Sequence, residues 1–130
     1  MKTATTIIQI LVRVAGLTQI VLGVLFWTNN VLTLVPIHML VGLVLVLLLW
    51  SLAGMSLWAG VNRGRAALAI VWGVIVVALG MTQTQILPGS AHWVIEVVHL
   101  LVGLAAIGMA EGLAAGIKQA RSIQGLGVEG

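Results

Sequence analysis

Four long apolar runs dominate the chain and constrain its fold more than any other feature. They cover residues 5–28, 31–58, 65–87 and 91–117, and each reaches or exceeds the roughly 20 residues that a helix needs to cross a membrane. Lipid offers no hydrogen-bonding partner to an open backbone group, so runs of this length are expected to be helical. The sequence therefore predicts an all-α integral membrane protein, with four transmembrane helices in an up-down-up-down bundle. We expect a single domain over residues 1–130, ending in a flexible tail at 118–130.

The composition excludes an ordinary soluble domain. Apolar residues make up 61% of the 130 residues, charged residues 7%, and the mean hydropathy is +1.20. A soluble domain of this size cannot bury so much apolar surface. The absence of cysteine excludes disulfides, thiolate metal sites and thiol chemistry. The chain contains no phosphate-binding loop, nucleotide fingerprint or nucleophile triad, which disfavours hydrolase and nucleotide-dependent activities and leaves open whether it is an enzyme.

The positive charges predict how the bundle is oriented. The connections at 29–30 and 88–90 carry no charge. Five cations fall instead at the amino terminus, the second connection and the carboxyl tail: Lys2, Arg63, Arg65, Lys118 and Arg121. By the positive-inside rule both termini and the second connection are cytoplasmic. The net charge of +3 therefore mainly sets the topology. We expect membrane lipid to be the partner of these cations, and nucleic acid is not implied. The expected location is the plasma (inner) membrane of a bacterium or archaeon.

Two histidines in different apolar runs share the same local sequence. His38 is followed by Met-Leu-Val and Gly42, and His99 by Leu-Leu-Val and Gly103. Ionisable groups inside a membrane are costly, which suggests that they have a use. Both histidines fall about two turns below the outer surface, on helices that run in the same direction. The second and fourth helices of such a bundle are diagonal neighbours, so we expect the two imidazoles to face each other across its axis.

Two imidazoles at one depth suit a planar metal cofactor bound between them. Neutral imidazole is a good ligand for haem iron, and Gly42 and Gly103, one turn after His38 and His99, would leave room for the edge of the macrocycle. In outline this arrangement is similar to membrane b-type cytochromes, which hold haem between histidines on facing helices. The resemblance rests on these four residues alone. It implies haem b, one-electron transfer and a quinol as donor or acceptor near the outer surface.

Arg13 is the one cation well inside an apolar run. It lies about two turns from the cytoplasmic end of the first run, so its side chain can extend to the headgroups. The alternative is an inward-facing counter-charge, paired with Glu111 near the cytoplasmic end of the fourth run or with an anionic ligand. If haem is bound, Arg13 is expected to pair with a propionate or with Glu111.

The fourth run also offers a different metal site. His92, Glu96 and His99 are spaced i, i+4 and i+7 and therefore share one helical face, with His38 as a fourth ligand. Glu96 and His99 have the Glu-x-x-His spacing of carboxylate-bridged metal bundles, although Val35 supplies no matching carboxylate before His38. A zinc, copper or iron ion is the alternative cofactor. The same residues could handle protons, since histidine ionises near neutral pH.

A non-catalytic role is the remaining alternative. Gly108, Gly112 and Gly116 form a small-residue face that allows close helix packing, and a subunit bracing a larger membrane complex, or a homo-oligomer, needs only spans and packing faces. Small four-helix multidrug exporters are similar in size, but they carry a carboxylate in the first span, where this chain has Arg13. The sequence therefore favours a haem protein over a structural subunit and makes an exporter a poor interpretation.

Overall fold

The computed structural model describes residues 2–29 and 31–126, and within these residues helices are joined by short turns and there are no strands. Short 3₁₀ turns precede the second helix at Leu32–Leu34 and follow the third at Gln83–Gln85. All four long helices are long and apolar enough to cross a membrane. Their bounds are α1 Lys2–Asn29, α2 Val35–Trp58, α3 Arg63–Thr82 and α4 His92–Leu126.

The last helix is longer than the apolar pattern predicts. Helix α4 continues to Leu126, whereas the fourth run was expected to end at residue 117 and give way to a flexible tail. The stretch after Ile117 contains lysine, glutamine, alanine and arginine, which all favour helix, and no glycine until Gly125. The helix propensity of these residues therefore extends α4 beyond the apolar stretch. The remainder of the predicted tail, residues 127–130, lies outside the described residues.

The two ends of the bundle are chemically different. Helices α1 and α4 are antiparallel, because Arg13 contacts Glu111 towards one end while Trp27 contacts Glu96 towards the other. We call the end near Trp27 and Glu96 the histidine end, since all three histidines lie in that half. The opposite end is the basic end, which carries Arg63, Arg65, Lys118 and Arg121.

Helices α2 and α4 form the close diagonal of the bundle. They pack against each other and each packs against both α1 and α3, whereas α1 and α3 have at most a marginal contact. The large apolar side chains that are fully buried come from α1, α2 and α4: Val12, Val46, Leu49, Leu52, Leu113 and Ile117. Helix α3 contributes small residues, Ala66 and Ala69. Because α2 and α4 touch directly, side chains on their facing surfaces meet without an intervening helix.

Candidate functional site

His38 and His99 form a pair at the histidine end. Their ring centroids are 6.1 Å apart with the planes inclined by 49°, and both residues are partly buried. The direct packing of α2 on α4 and the similar depth of the two residues bring the rings together, as the sequence predicts. The Nδ1 atoms of both rings are buried and have no hydrogen-bond partner within residues 2–29 and 31–126. Unsatisfied buried nitrogens are costly, so this pair of rings is the candidate site.

The separation of the two rings can be compared with the separation that a metal ion between them would need. An imidazole nitrogen binds a metal at about 2 Å, and the ring centre lies about 1.1 Å behind that nitrogen, so two opposed ligands place their centroids about 6 Å apart. The observed separation of 6.1 Å therefore needs little adjustment. Two imidazoles that shared one metal ion would need a centroid separation of about this size, with one nitrogen of each ring turned towards the other.

Side chains from α1 and α3 complete the surroundings of the pair. The ring of Phe26 packs edge-on against His38 with a centroid distance of 5.3 Å. On the other side, a Cβ built at Gly80 would lie 3.5 Å from Cε1 of His99, so this glycine of α3 lies directly beside the ring. The pair is thus bordered by an aromatic ring on the α1 side and by bare backbone on the α3 side.

The two glycines of the shared sequence have different environments. A Cβ at Gly42 would clash with the amide nitrogen of Gln19, whereas one at Gly103 would meet nothing within 4 Å. Gln19 Nε2 donates a hydrogen bond to the His38 carbonyl at 3.0 Å. The space above Gly42 is therefore filled by a side chain of α1 and leaves no room there for a macrocycle edge. Gly103 is open, in keeping with the expectation from the sequence.

Arg13 lies far from the histidine pair and is already bound. Its Nε and Nη2 donate to the two carboxylate oxygens of Glu111 at 2.7 and 2.9 Å. Gln9 donates to the same carboxylate, and Lys118 donates to the amide oxygen of Gln9. Glu111 follows His99 by twelve residues, which is about 18 Å along a helix. The Glu111 pairing foreseen for Arg13 is present, and it leaves this guanidinium unavailable to a ligand at the histidines.

The fourth-helix residues proposed as an alternative metal site are not assembled as one. Glu96 accepts a hydrogen bond from Trp27 Nε1 at 2.9 Å, and its other oxygen lies 3.9 Å from Nε2 of His92. The Nδ1 atom of His92 is 3.3 Å from the Ile86 carbonyl oxygen, while His99 is turned towards α2. In the part of the chain that the structure describes, no three histidine, aspartate or glutamate side chains form a group that could hold a metal ion.

Three residues beside the pair were not foreseen from the sequence. Gln19 is an amide within an apolar run, which is itself a signal of use inside a membrane. Phe26 is the only phenylalanine of the chain, but its position beside His38 depends on how α1 packs. Gly80 has no sequence signal that separates it from the other helical glycines.

Comparison of the chain with protein-family models, curated proteins and solved structures finds no match. The functional argument therefore rests on the geometry of the site.

Proposed function

We propose that this protein is a small membrane b-type cytochrome whose haem iron is ligated by His38 and His99. The observation that carries the proposal is the imidazole pair, with its 6.1 Å centroid separation and two buried Nδ1 atoms without partners. Neutral imidazole is the ligand that such iron takes. The proposal accounts for the approach of two imidazole rings at one depth of an apolar bundle.

The remaining residues would border the macrocycle. Gly80 presents bare backbone on the α3 side, Gly103 of α4 has open space beside it, and Phe26 presents an apolar ring on the α1 side. When bound, haem supplies a one-electron couple between ferric and ferrous iron. The protein supplies the two axial ligands and an apolar surrounding that keeps water from the iron.

The electron partner we propose is a quinol in the plasma (inner) membrane. The positive-inside rule orients the basic end towards the cytoplasm and the histidine end outwards. A quinol gives up two electrons and two protons, so its electrons would pass one after the other through the single haem to a one-electron acceptor, and both protons would have to leave near the pair. Glu96, one helical turn from His99, and His92 are partly exposed and can take protons to the outer surface.

An oxidised-minus-reduced visible spectrum of the detergent-purified protein, expressed with ample haem, tests this proposal. We expect the sharp reduced bands of a six-coordinate b-type haem. They should be lost in His38→Ala and in His99→Ala, and retained in the matched control His92→Ala, which removes a histidine outside the pair.

Metal analysis of the same sample separates the alternatives. A colourless sample that contains stoichiometric zinc, copper or iron would show that the cofactor is a bound metal ion and not haem. A sample without haem or metal, in which His38→Ala and His99→Ala fold normally, would contradict the proposal and favour a structural subunit of a larger membrane complex. Bands that persist in His99→Ala would place the haem elsewhere.

A further inference from the structure

A groove runs between α3 and α4 in the half of the bundle nearer the basic end. Its volume is about 360 Å³, within the range of small-molecule sites. A Cβ at either Gly108 or Gly112 would meet nothing within 4 Å, so no side chain of this chain fills the space. The residues that line this α3–α4 groove are Arg65, Leu68, Ala105, Gly108, Met109 and Gly112.

A hydrogen bond between α3 and α4 lies beyond the inner end of the groove, and a cation lies at its other end. Trp72, one turn beyond Leu68, donates from its indole nitrogen to the Val102 carbonyl at 3.0 Å and so joins the two helices. From Ala105 to Gly112 the groove extends about 10 Å along α4. Arg65 lies in the first turn of α3, where the helix leaves the hydrocarbon. The groove therefore has an apolar interior and a single cation at its mouth.

Arg65 has no partner within residues 2–29 and 31–126. Its guanidinium makes no hydrogen bond or ion pair there, unlike Arg13 and Lys118, which are both bound to other side chains. An arginine presents five donors suited to an oxyanion such as phosphate. The charge at the mouth of the groove therefore favours an anionic ligand.

Among residues 2–29 and 31–126, a second copy of this chain offers no free carboxylate at this end of the bundle. The sequence contains three acidic residues. Glu96 lies at the opposite end, Glu111 is bound by Arg13, and Glu129 lies outside the described residues. A symmetric pairing through the groove would also bring two Arg65 side chains together, because a two-fold interface repeats each contact. Charge complementarity therefore favours an anionic partner over another copy.

We propose that the α3–α4 groove binds an anionic phospholipid, with one acyl chain in the groove and the headgroup phosphate on Arg65. Basic pockets between transmembrane helices on the cytoplasmic side bind anionic headgroups. In this groove the cation lies at the mouth and the glycines lie deeper, which is the order of headgroup and acyl chain in a lipid. This inference does not depend on haem binding.

Native mass spectrometry of the delipidated protein, titrated with phosphatidylglycerol or phosphatidylcholine of equal chain length, tests the site. We expect phosphatidylglycerol to bind more tightly. Arg65→Gln should weaken its binding about fivefold, which corresponds to about 1 kcal/mol for a cation at an anionic surface, and Arg65→Lys should restore part of the loss. The matched control is Arg63→Gln, a cation in the same turn that does not line the groove.

A second pair of variants tests the apolar part. Gly108→Leu should fill the groove and reduce binding of both lipids, whereas Gly54→Leu, at another helical glycine with open space beside it, should leave binding unchanged. Equal losses in Arg63→Gln and Arg65→Gln would overturn the proposal in favour of diffuse attraction. Equal binding of phosphatidylglycerol and phosphatidylcholine would also overturn it. So would the finding that the wild-type protein forms dimers and that Gly108→Leu prevents them. Because the arginine variants change only exposed side chains, they test the site even if Gly108→Leu does not fold.

Discussion

The imidazole ring of His38 lies 6.1 Å from that of His99, on two helices that pack directly against each other without another helix between them. Direct packing of α2 on α4 explains why the rings meet, and it also limits where a bulky cofactor can extend. On the α1 side Phe26 and Gln19 occupy the space beside His38. On the α3 side the backbone at Gly80 lies against His99, whereas the space beside Gly103 is open, so a macrocycle on this pair would have to extend over Gly103.

Gly103→Leu tests this direction. A side chain at Gly103 meets nothing within 4 Å in the cofactor-free chain, so the unfolding temperature of the haem-free protein should be unchanged. The haem content of the purified variant should fall severalfold, because the leucine takes space beside His99. Haem content equal to that of the wild type, measured by extraction of the haem with a protein assay, would contradict an extension over Gly103.

Gly42→Ala should act on the fold itself. The new methyl group would clash with the amide of Gln19, which donates to the His38 carbonyl. The amide is the end of a flexible side chain and can move aside, so the expected cost is the loss of its hydrogen bond to the His38 carbonyl, about 1 kcal/mol. The double variant Gln19→Ala/Gly42→Ala removes the clashing group and should be more stable than Gly42→Ala alone. Thermal unfolding of the four proteins in one detergent measures the coupling, and strictly additive losses would mean that the two residues do not meet.

The fold could be predicted from the sequence because one physical rule dominates it. Each apolar run is long enough to span lipid, and lipid forces it to be helical, so all four helices follow from length and hydropathy. The end of α4 was missed because it is set by helix propensity after Ile117, beyond the apolar signal. In the same way, the shared depth of His38 and His99 follows from counting residues in two helices that run in the same direction.

The parts of the site that were missed depend on how the helices are rotated about their axes. Each of these helices is apolar almost all round, so the sequence pattern does not say which face of α1 meets α2. Gly42 and Gly103 therefore looked equivalent, although one is covered by Gln19 and the other is open. Arg13 had two interpretations for the same reason, and only the position of Glu111 distinguishes them.

Arg13→Met should destabilise the contact between α1 and α4. Removing the guanidinium leaves Glu111 with the amide of Gln9 as its remaining partner among the hydrogen bonds described for it. Polar contacts between transmembrane helices contribute up to about 2 kcal/mol, and an uncompensated carboxylate in the membrane adds to the loss. We therefore expect Arg13→Met/Glu111→Gln to be more stable than Arg13→Met. The control is Arg63→Met, an exposed cation at the basic end. Unfolding by denaturing detergent gives the four free energies, and equal stability of the single and double variants would argue against a structural ion pair.

Gly73→Ala should loosen the junction of α2 and α3. The indole of Trp50 lies over Gly73 and donates from Nε1 to the Ile70 carbonyl at 3.1 Å, and a Cβ at Gly73 would come within 2.9 Å of Cε2 in that ring. The ring is rigid and held at its nitrogen, so it can move away only by giving up the hydrogen bond. We expect a loss of about 1 to 3 kcal/mol in unfolding free energy. Gly54→Ala is the matched control, because a Cβ there meets nothing within 4 Å and alanine favours helix over glycine. It should leave stability equal or slightly higher. If Gly73→Ala were as stable as Gly54→Ala, the ring of Trp50 would not be held against α3 in the membrane protein.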